Sequence, residues 1–370
     1  MSKATASRTI IQLTLLSLLA LACTSVAFAQ AEQPDLTVDA ATRTQVIDTI
    51  LKRLNDSYVF PEVARKMESS IRERVAKKEY DQITSARQFA TKLTTDLQAV
   101  SNDKHLRVRY SYEAIPERGP RKEPSAEERE QRKHDLNWMN HGFAKVERLP
   151  GNVGYIEFLN FMDEELGADT VAAAMNFISN TDALIIDMRR NGGGNPAMVA
   201  LVCSYLFGAE PVHLNDLYWR EGNRTEEFWT KKAISGKRYL NKDVYVLTSK
   251  RTFSGAEEFT YNLKNLKRAT IIGETTGGGA HPGGGFRISE HFGMFVPTGR
   301  AISPITKTNW EGTGVTPDIA VPADQALLTA RLLALKKSLT SLTNPDFKED
   351  VQEEIDKLEK ELTSLKTKSE

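Results

Sequence analysis

The stretch Ala183-Leu-Ile-Ile-Asp-Met-Arg-Arg-Asn-Gly-Gly-Gly-Asn-Pro196 decides how the rest of the chain is read. Its first half is a short unbroken apolar run, the pattern of a strand buried on both faces. Three consecutive glycines follow, then a proline at the first turn of a new helical pattern. The stretch therefore predicts a strand, a glycine turn and a helix. The same grammar recurs outward in both directions. Residues 153–158, 244–248 and 270–272 read as further strands, and residues 170–178, 196–207 and 254–266 as helices between them. Such alternation predicts an α/β layered core with a partly parallel sheet over residues 142–326.

Before this core, Val46, Ile47, Ile50, Leu51 and Leu54 recur at helical spacing, as do Phe89, Leu93 and Leu97. Residues 30–104 are expected to form a helical subdomain. Residues 105–110 alternate as a strand. Residues 113–137 are dense in charge and proline without an apolar period, so residues 105–141 are read as a strand followed by a solvated loop or flap. Residues 327–370 carry two more helical patterns. The last has opposite-charge pairs such as Glu353 and Lys357, which suit a solvated surface helix.

Composition narrows the class. The chain has 370 residues, with 49 Lys and Arg against 49 Asp and Glu. That balance gives no electrostatic basis for a nucleic-acid partner. Lys3 and Arg8 precede an apolar run over residues 10–22, and Ala27-Phe28-Ala29 ends the small-residue stretch after it. This is the pattern of an export signal, residues 1–29, cleaved after Ala29 and too short for a comfortable membrane span. Periplasmic residence is the expected outcome, with no stable span once the signal is removed. A lipid anchor on Cys23 ranks lower, because Ala20 stands where a lipobox prefers leucine. The other cysteine, Cys203, lies in an apolar helical pattern and reads as a small core residue.

Chemistry gathers on few segments. Glycines at a strand-to-helix junction let backbone N–H groups approach an anion, with the positive end of the helix behind them. A tight turn has the same composition. Thr252-Phe-Ser-Gly-Ala-Glu-Glu-Phe259 places Ser254 on a second such junction. That is where a nucleophilic serine is presented, but Ser254-Gly-Ala-Glu257 is equally a helix capping box. Six histidines compete for the role of base, and spacing does not choose among them. No zinc, calcium or nucleotide motif occurs, so neither metal nor cofactor is expected.

Four segments stand in order: Asp187-Met-Arg-Arg-Asn-Gly-Gly-Gly194, residues 252–259, Ile271-Ile-Gly-Glu-Thr-Thr-Gly-Gly278 and Glu311-Gly-Thr-Gly-Val-Thr-Pro-Asp318. Together they resemble the tail-specific (C-terminal processing) serine protease family. The branch is the one similar to interphotoreceptor retinoid-binding protein and the tricorn core protease. The resemblance implies a crotonase-like βαβ core and a serine peptidase with Ser254 as nucleophile. It implies an oxyanion hole from the N–H groups of Gly193 and Gly255. The lysine of the Ser–Lys members is replaced here by Gly278. The tricorn-like arrangement instead implies His105, in Asp103-Lys-His-Leu106, as base and Glu311 as its partner, with His281 lining the site as a reserve base. The charged stretch before the core is too short for a PDZ domain, so tail recognition is not inferred. A peptide or protein is the expected substrate. The alternative is a non-catalytic protein that uses the same cleft for an apolar ligand or peptide.

Overall fold

The computed structural model describes residues 34–369 apart from residues 118 and 120–122. The expected export signal, with Ala29 and Cys23, lies outside these residues. Among the described residues, no helix is long and apolar enough to cross a membrane.

Three helices come first: α1 (Ala40–Ser57), α2 (Pro61–Ala76) and α3 (Ala86–Ser101). Strand β1 (Arg107–Tyr110) and helix α4 (Ala126–Trp138) follow. Then come β2 (Phe143–Leu149), β3 (Val153–Phe158), α5 (Glu164–Ile178), β4 (Ala183–Asp187) and α6 (Pro196–Ser204). A hairpin of β5 (His213–Trp219) and β6 (Arg224–Trp229) precedes β7 (Asp243–Thr248), α7 (Gly255–Asn265) and β8 (Thr270–Gly273). The chain closes with β9 (Gly283–Arg287), β10 (Phe292–Pro297), β11 (Gly299–Ile302), β12 (Ile319–Ala320), α8 (Ala326–Ser341) and α9 (Pro345–Ser369).

The α/β class read from the sequence is the class observed. A six-stranded sheet runs β12-β8-β7-β4-β3-β2, parallel throughout except for β2 at one edge. Its four inner strands, β3, β4, β7 and β8, are buried on both faces, and the pleat divides their side chains. Ile156, Leu184, Ile186, Val244, Val246 and Ile271 face α5, α6 and α7. Tyr155, Ile185, Tyr245, Leu247 and Ile272 face α8 and α9. Full burial of each aliphatic side chain contributes about 1.5–3 kcal/mol, so this double packing fixes the strand register. Cys203 is fully buried in the first layer, as expected of a core residue.

Two smaller sheets flank this one. In β1-β10-β9, Val108, Phe292, Met294 and Val296 pack onto the apolar faces of α1 to α3. The other sheet is β11-β5-β6. Strand β9 begins Gly-Gly-Gly, and β10 pairs with it residue by residue from Gly283 to Arg287.

The segment expected to be a loop differs. Within residues 113–137 the chain forms α4, with every side chain at least partly exposed. A capping box starts it: Ser125 Oγ accepts from the Glu128 N–H at 3.1 Å, and Glu128 accepts from the Ser125 N–H at 2.7 Å. Without an apolar stripe, its helicity rests on the cap and on side-chain pairs, which an apolar period does not report.

Candidate active site

The site is built where two adjacent parallel strands end. Strands β4 and β7 pair with Asp187 opposite Leu247, so the turns leaving them lie side by side. The carboxyl ends of parallel strands are where α/β sheets place ligands. Asn191 joins the two turns. Its Nδ2 donates to the Phe158 carbonyl at 2.9 Å, its Oδ1 accepts from the Gly193 N–H at 2.8 Å, and its own carbonyl accepts from the Phe253 N–H.

Ser254 caps α7 with φ 55° and ψ −123°, a left-handed backbone that a β-carbon disfavours. Such strain at a strand-to-helix turn thrusts the side chain out of the helix axis. Glu257 holds the turn in place. One carboxylate oxygen accepts from the N–H groups of Ser254 (2.9 Å) and Gly279 (2.8 Å), and the other from Gly278 (2.6 Å) and the Thr276 hydroxyl (2.5 Å). Burial pushes the Glu257 carboxyl up, and these four donors pull it back. The capping box therefore does more than start a helix. It ties the Ser254 turn to the glycine-rich stretch after β8.

The N–H groups left free at this turn differ from the expected pair. The Gly193 N–H, expected as one of them, is already given to Asn191 Oδ1. The next residue, Gly194, has no acceptor for its N–H among the described residues, and neither has Gly255 at the first position of α7. Both line a pocket of about 240 Å³ together with Ser254. The free pair is Gly194 and Gly255, one residue along from the expected pair at the first position. Gly193 is still required there. At φ 99°, a β-carbon on it would stand 2.5 Å from the Gly255 nitrogen, 2.7 Å from the Phe253 carbonyl and 2.8 Å from Ser254 Cβ. Gly193→Ala is expected to cost about 3 kcal/mol or more of folding stability, read from urea unfolding, because two backbone atoms and the fixed β-carbon of Ser254 leave no relief. A cost under 1 kcal/mol would mean that this turn is far softer than its packing implies.

The expected triad is only partly assembled. The His105 ring lies against Phe253, the residue before Ser254, with ring centroids 4.6 Å apart, and against Phe295 at 5.8 Å. Its Nδ1 is buried without a partner, and burial lowers its pKa to about 4. Glu311 does not hydrogen-bond to His105. Its Oε2 instead accepts from the Ala280 N–H at 2.5 Å and stands 3.4 Å from His281 Nδ1, while its Oε1 is buried and unpartnered. The physical reason is competition: a backbone donor and a second imidazole are closer than the first. Burial, then Asp103, push the Glu311 carboxyl up to about 7.

Asp103 was missed, although it sits in the same short stretch as His105. Fully buried, it accepts from the His105 N–H at 3.0 Å and the Tyr58 hydroxyl at 3.1 Å, and pairs with His281 Nδ1 at 2.7 Å. It thus fixes the backbone of one histidine and the ring of the other. Asp103, His281 and Glu311 each bring one ligand-type atom within 4.8 Å of the others. The remaining histidines take other partners: His141 bonds Asn137, His213 bonds Asp216 under a stacked Trp229, His291 bonds the Ser111 carbonyl, and exposed His134 sits beside Asp135.

A strained serine beside two free N–H groups, on a turn locked by a buried glutamate, defines a serine-peptidase type of scaffold. Residues 152–321 match the model of peptidase family S41, and residues 36–136 match the N-terminal domain of Peptidase_S41 in eukaryotic IRBP. The chain is 28% identical over 192 residues to the chloroplastic carboxyl-terminal-processing peptidase 2 of Arabidopsis thaliana. That match covers 48% of this chain and 35% of the relative's length. Among solved structures, it is similar to a peptidase candidate from Parabacteroides merdae, with TM-score 0.58 and 16% identity over 81% of this chain and 99% of the other. A lipoprotein from Streptococcus agalactiae follows at TM-score 0.50 and 16% identity, over 80% and 96%. At such identities the two structures establish the fold alone.

Proposed function

We propose that the chain is an exported serine peptidase that hydrolyses peptide bonds through an acyl-enzyme on Ser254. The observation that carries this reading is the placement of strained Ser254 in one pocket with the free N–H groups of Gly194 and Gly255. Ser254 Oγ attacks the scissile carbonyl carbon, and His105 Nε2 takes its proton. The carbonyl oxygen becomes an oxyanion held by Gly194 and Gly255, each such donor being worth about 3 kcal/mol at the transition state. Collapse expels the amine, which takes the proton from His105. Water then repeats the cycle and releases the acid.

Glu311 completes the arrangement in this reading. His105 Nδ1 and Glu311 Oε1 are both buried and unpartnered, one able to donate and the other to accept. Both side chains pack on the same short stretch. A β-carbon on Gly279 would stand 2.7 Å from His105 Cε1, and the next N–H, from Ala280, goes to Glu311. Their bond forms when substrate closes the site, as catalytic hydrogen bonds often tighten only in the complex. Export to the periplasm rests on the basic, apolar and small-residue order of residues 1–29.

The test is covalent labelling of the purified protein by a fluorophosphonate. Stoichiometric modification mapped to Ser254 is the expected result. A folded protein that takes no label and cleaves no casein would leave the non-catalytic binding reading in its place.

A further inference from the structure

The pocket beside Ser254 contains one ionisable side chain, and the mechanism does not use it. Leu217, Trp219, Ala301 and Trp310 make its walls, and Glu258 of α7 reaches it from the helix that Ser254 caps. Glu258 is 4% exposed, and its Oε1 has no hydrogen-bond partner. Its polar neighbours are few: Asn215 on β5 is fully buried beside it and eases the carboxyl, and Asn262, one turn along α7, has a free Nδ2. No cation is paired with this carboxyl among the described residues. The titratable group beside it is Cys203 of α6, whose thiol burial pushes well up and so keeps uncharged. A buried carboxyl without a countercharge avoids the cost of ionising by keeping its proton, and it can give that proton up to pair with a cation brought in from outside. Two indoles, Trp219 and Trp310, add apolar walls suited to the methylenes of a long side chain, and the Trp219 ring already carries the Arg224 guanidinium at 5.5 Å.

We propose that this pocket receives the side chain of the substrate residue whose carbonyl Ser254 attacks, and that Glu258 makes it selective for a lysine or arginine at that position. The proposal rests on the peptidase reading for its register, since the pocket is bounded by Ser254 and Gly255. In the empty pocket, burial raises the Glu258 carboxyl to about 8, eased by Asn215, so it keeps its proton at neutral pH. An entering ammonium displaces that proton to solvent and takes its place. Below about pH 8 the exchange opposes binding by the work of removing the proton. Above it the carboxylate is already charged and selectivity reaches its full value.

The test separates binding from catalysis. In a Ser254→Ala background, two capped peptides differing only in lysine or norleucine at the pocket position are titrated by calorimetry. The lysine peptide is expected to bind about tenfold tighter at pH 8.5, with a smaller advantage at pH 6.5. Its heat at pH 7 should vary with the buffer's ionisation enthalpy, because one proton is released. Glu258→Gln, similar in shape, should erase both the advantage and the proton release. Equal binding of the two peptides, binding of neither, or a lysine preference that survives Glu258→Gln would overturn the assignment. These outcomes do not depend on whether Ser254 is nucleophilic, so failure here and failure of the labelling experiment are distinguishable. If Glu258→Gln does not melt cooperatively, the wild-type pocket's lysine-to-norleucine ratio and its pH dependence still decide the matter.

Discussion

Ser254→Ala is expected to lower kcat for peptide hydrolysis by about 10⁵-fold while changing folding stability by no more than about 1 kcal/mol. The two halves of this result have different causes. Without Oγ no acyl-enzyme forms, and what remains is the help that Gly194 and Gly255 give to attack by water. Stability is spared because Glu257 grips the backbone N–H of residue 254, which alanine retains. The left-handed φ of 55° is as unfavourable for alanine as for serine, so no strain is added or released. KM should change little, since the substitution leaves the other residues that line the pocket in place. Steady-state kinetics with a fluorogenic peptide, alongside thermal melting, checks both halves. A fall of less than about 10²-fold would remove Ser254 as nucleophile.

Much of this arrangement was legible in the sequence where local pattern and chemistry coincide. The apolar run 183–186 became a central strand because nothing but burial on both faces suits it. Ser254-Gly-Ala-Glu257 was readable as a capping box or a nucleophile turn, and the structure makes it a capped turn in which the cap orients the serine. Other parts depended on long-range partners and left no local trace. The Gly283–Arg287 strand has a composition that disfavours strands, and it exists because β10 pairs with it. Which glycine N–H stays free was decided by Asn191, whose side chain takes the Gly193 N–H. A motif names both residues without saying which way the amide turns. The pairing of Asp103 with His281 joins residues 178 positions apart. An aspartate two residues before a histidine is the available signal, but its burial against a ring so far along the chain has no local mark.

The two histidines near Glu311 differ in what their rings are free to do, and that difference sets the last prediction. His281 is committed: Nδ1 is held by Asp103, the edge of Phe60 packs on the ring with centroids 5.3 Å apart, and the side chain is almost wholly enclosed. His105 has no hydrogen bond to its ring Nδ1 and lies against Phe253, the residue that precedes Ser254. His105→Ala is therefore expected to reduce kcat/KM by about 10⁴-fold, and His281→Gln by about tenfold through looser placement of Glu311. The pH profile carries a sharper signature. A general base works in its neutral form, and burial lowers the pKa of His105 to about 4, so the base is available above that pH and lost as pH falls through it. The acid limb of kcat/KM should then lie well below the 6.5 of an ordinary histidine, toward pH 4, provided that Glu311 meets His105 only once substrate is bound. An acid limb near 7 would instead report the raised carboxyl of Glu311, and would mean that the free enzyme must ionise it before His105 can act. In that case Glu311→Gln should abolish the limb near 7 along with most of the activity. A full loss of activity in His281→Gln, with His105→Ala still active, would transfer the role of base to the other ring.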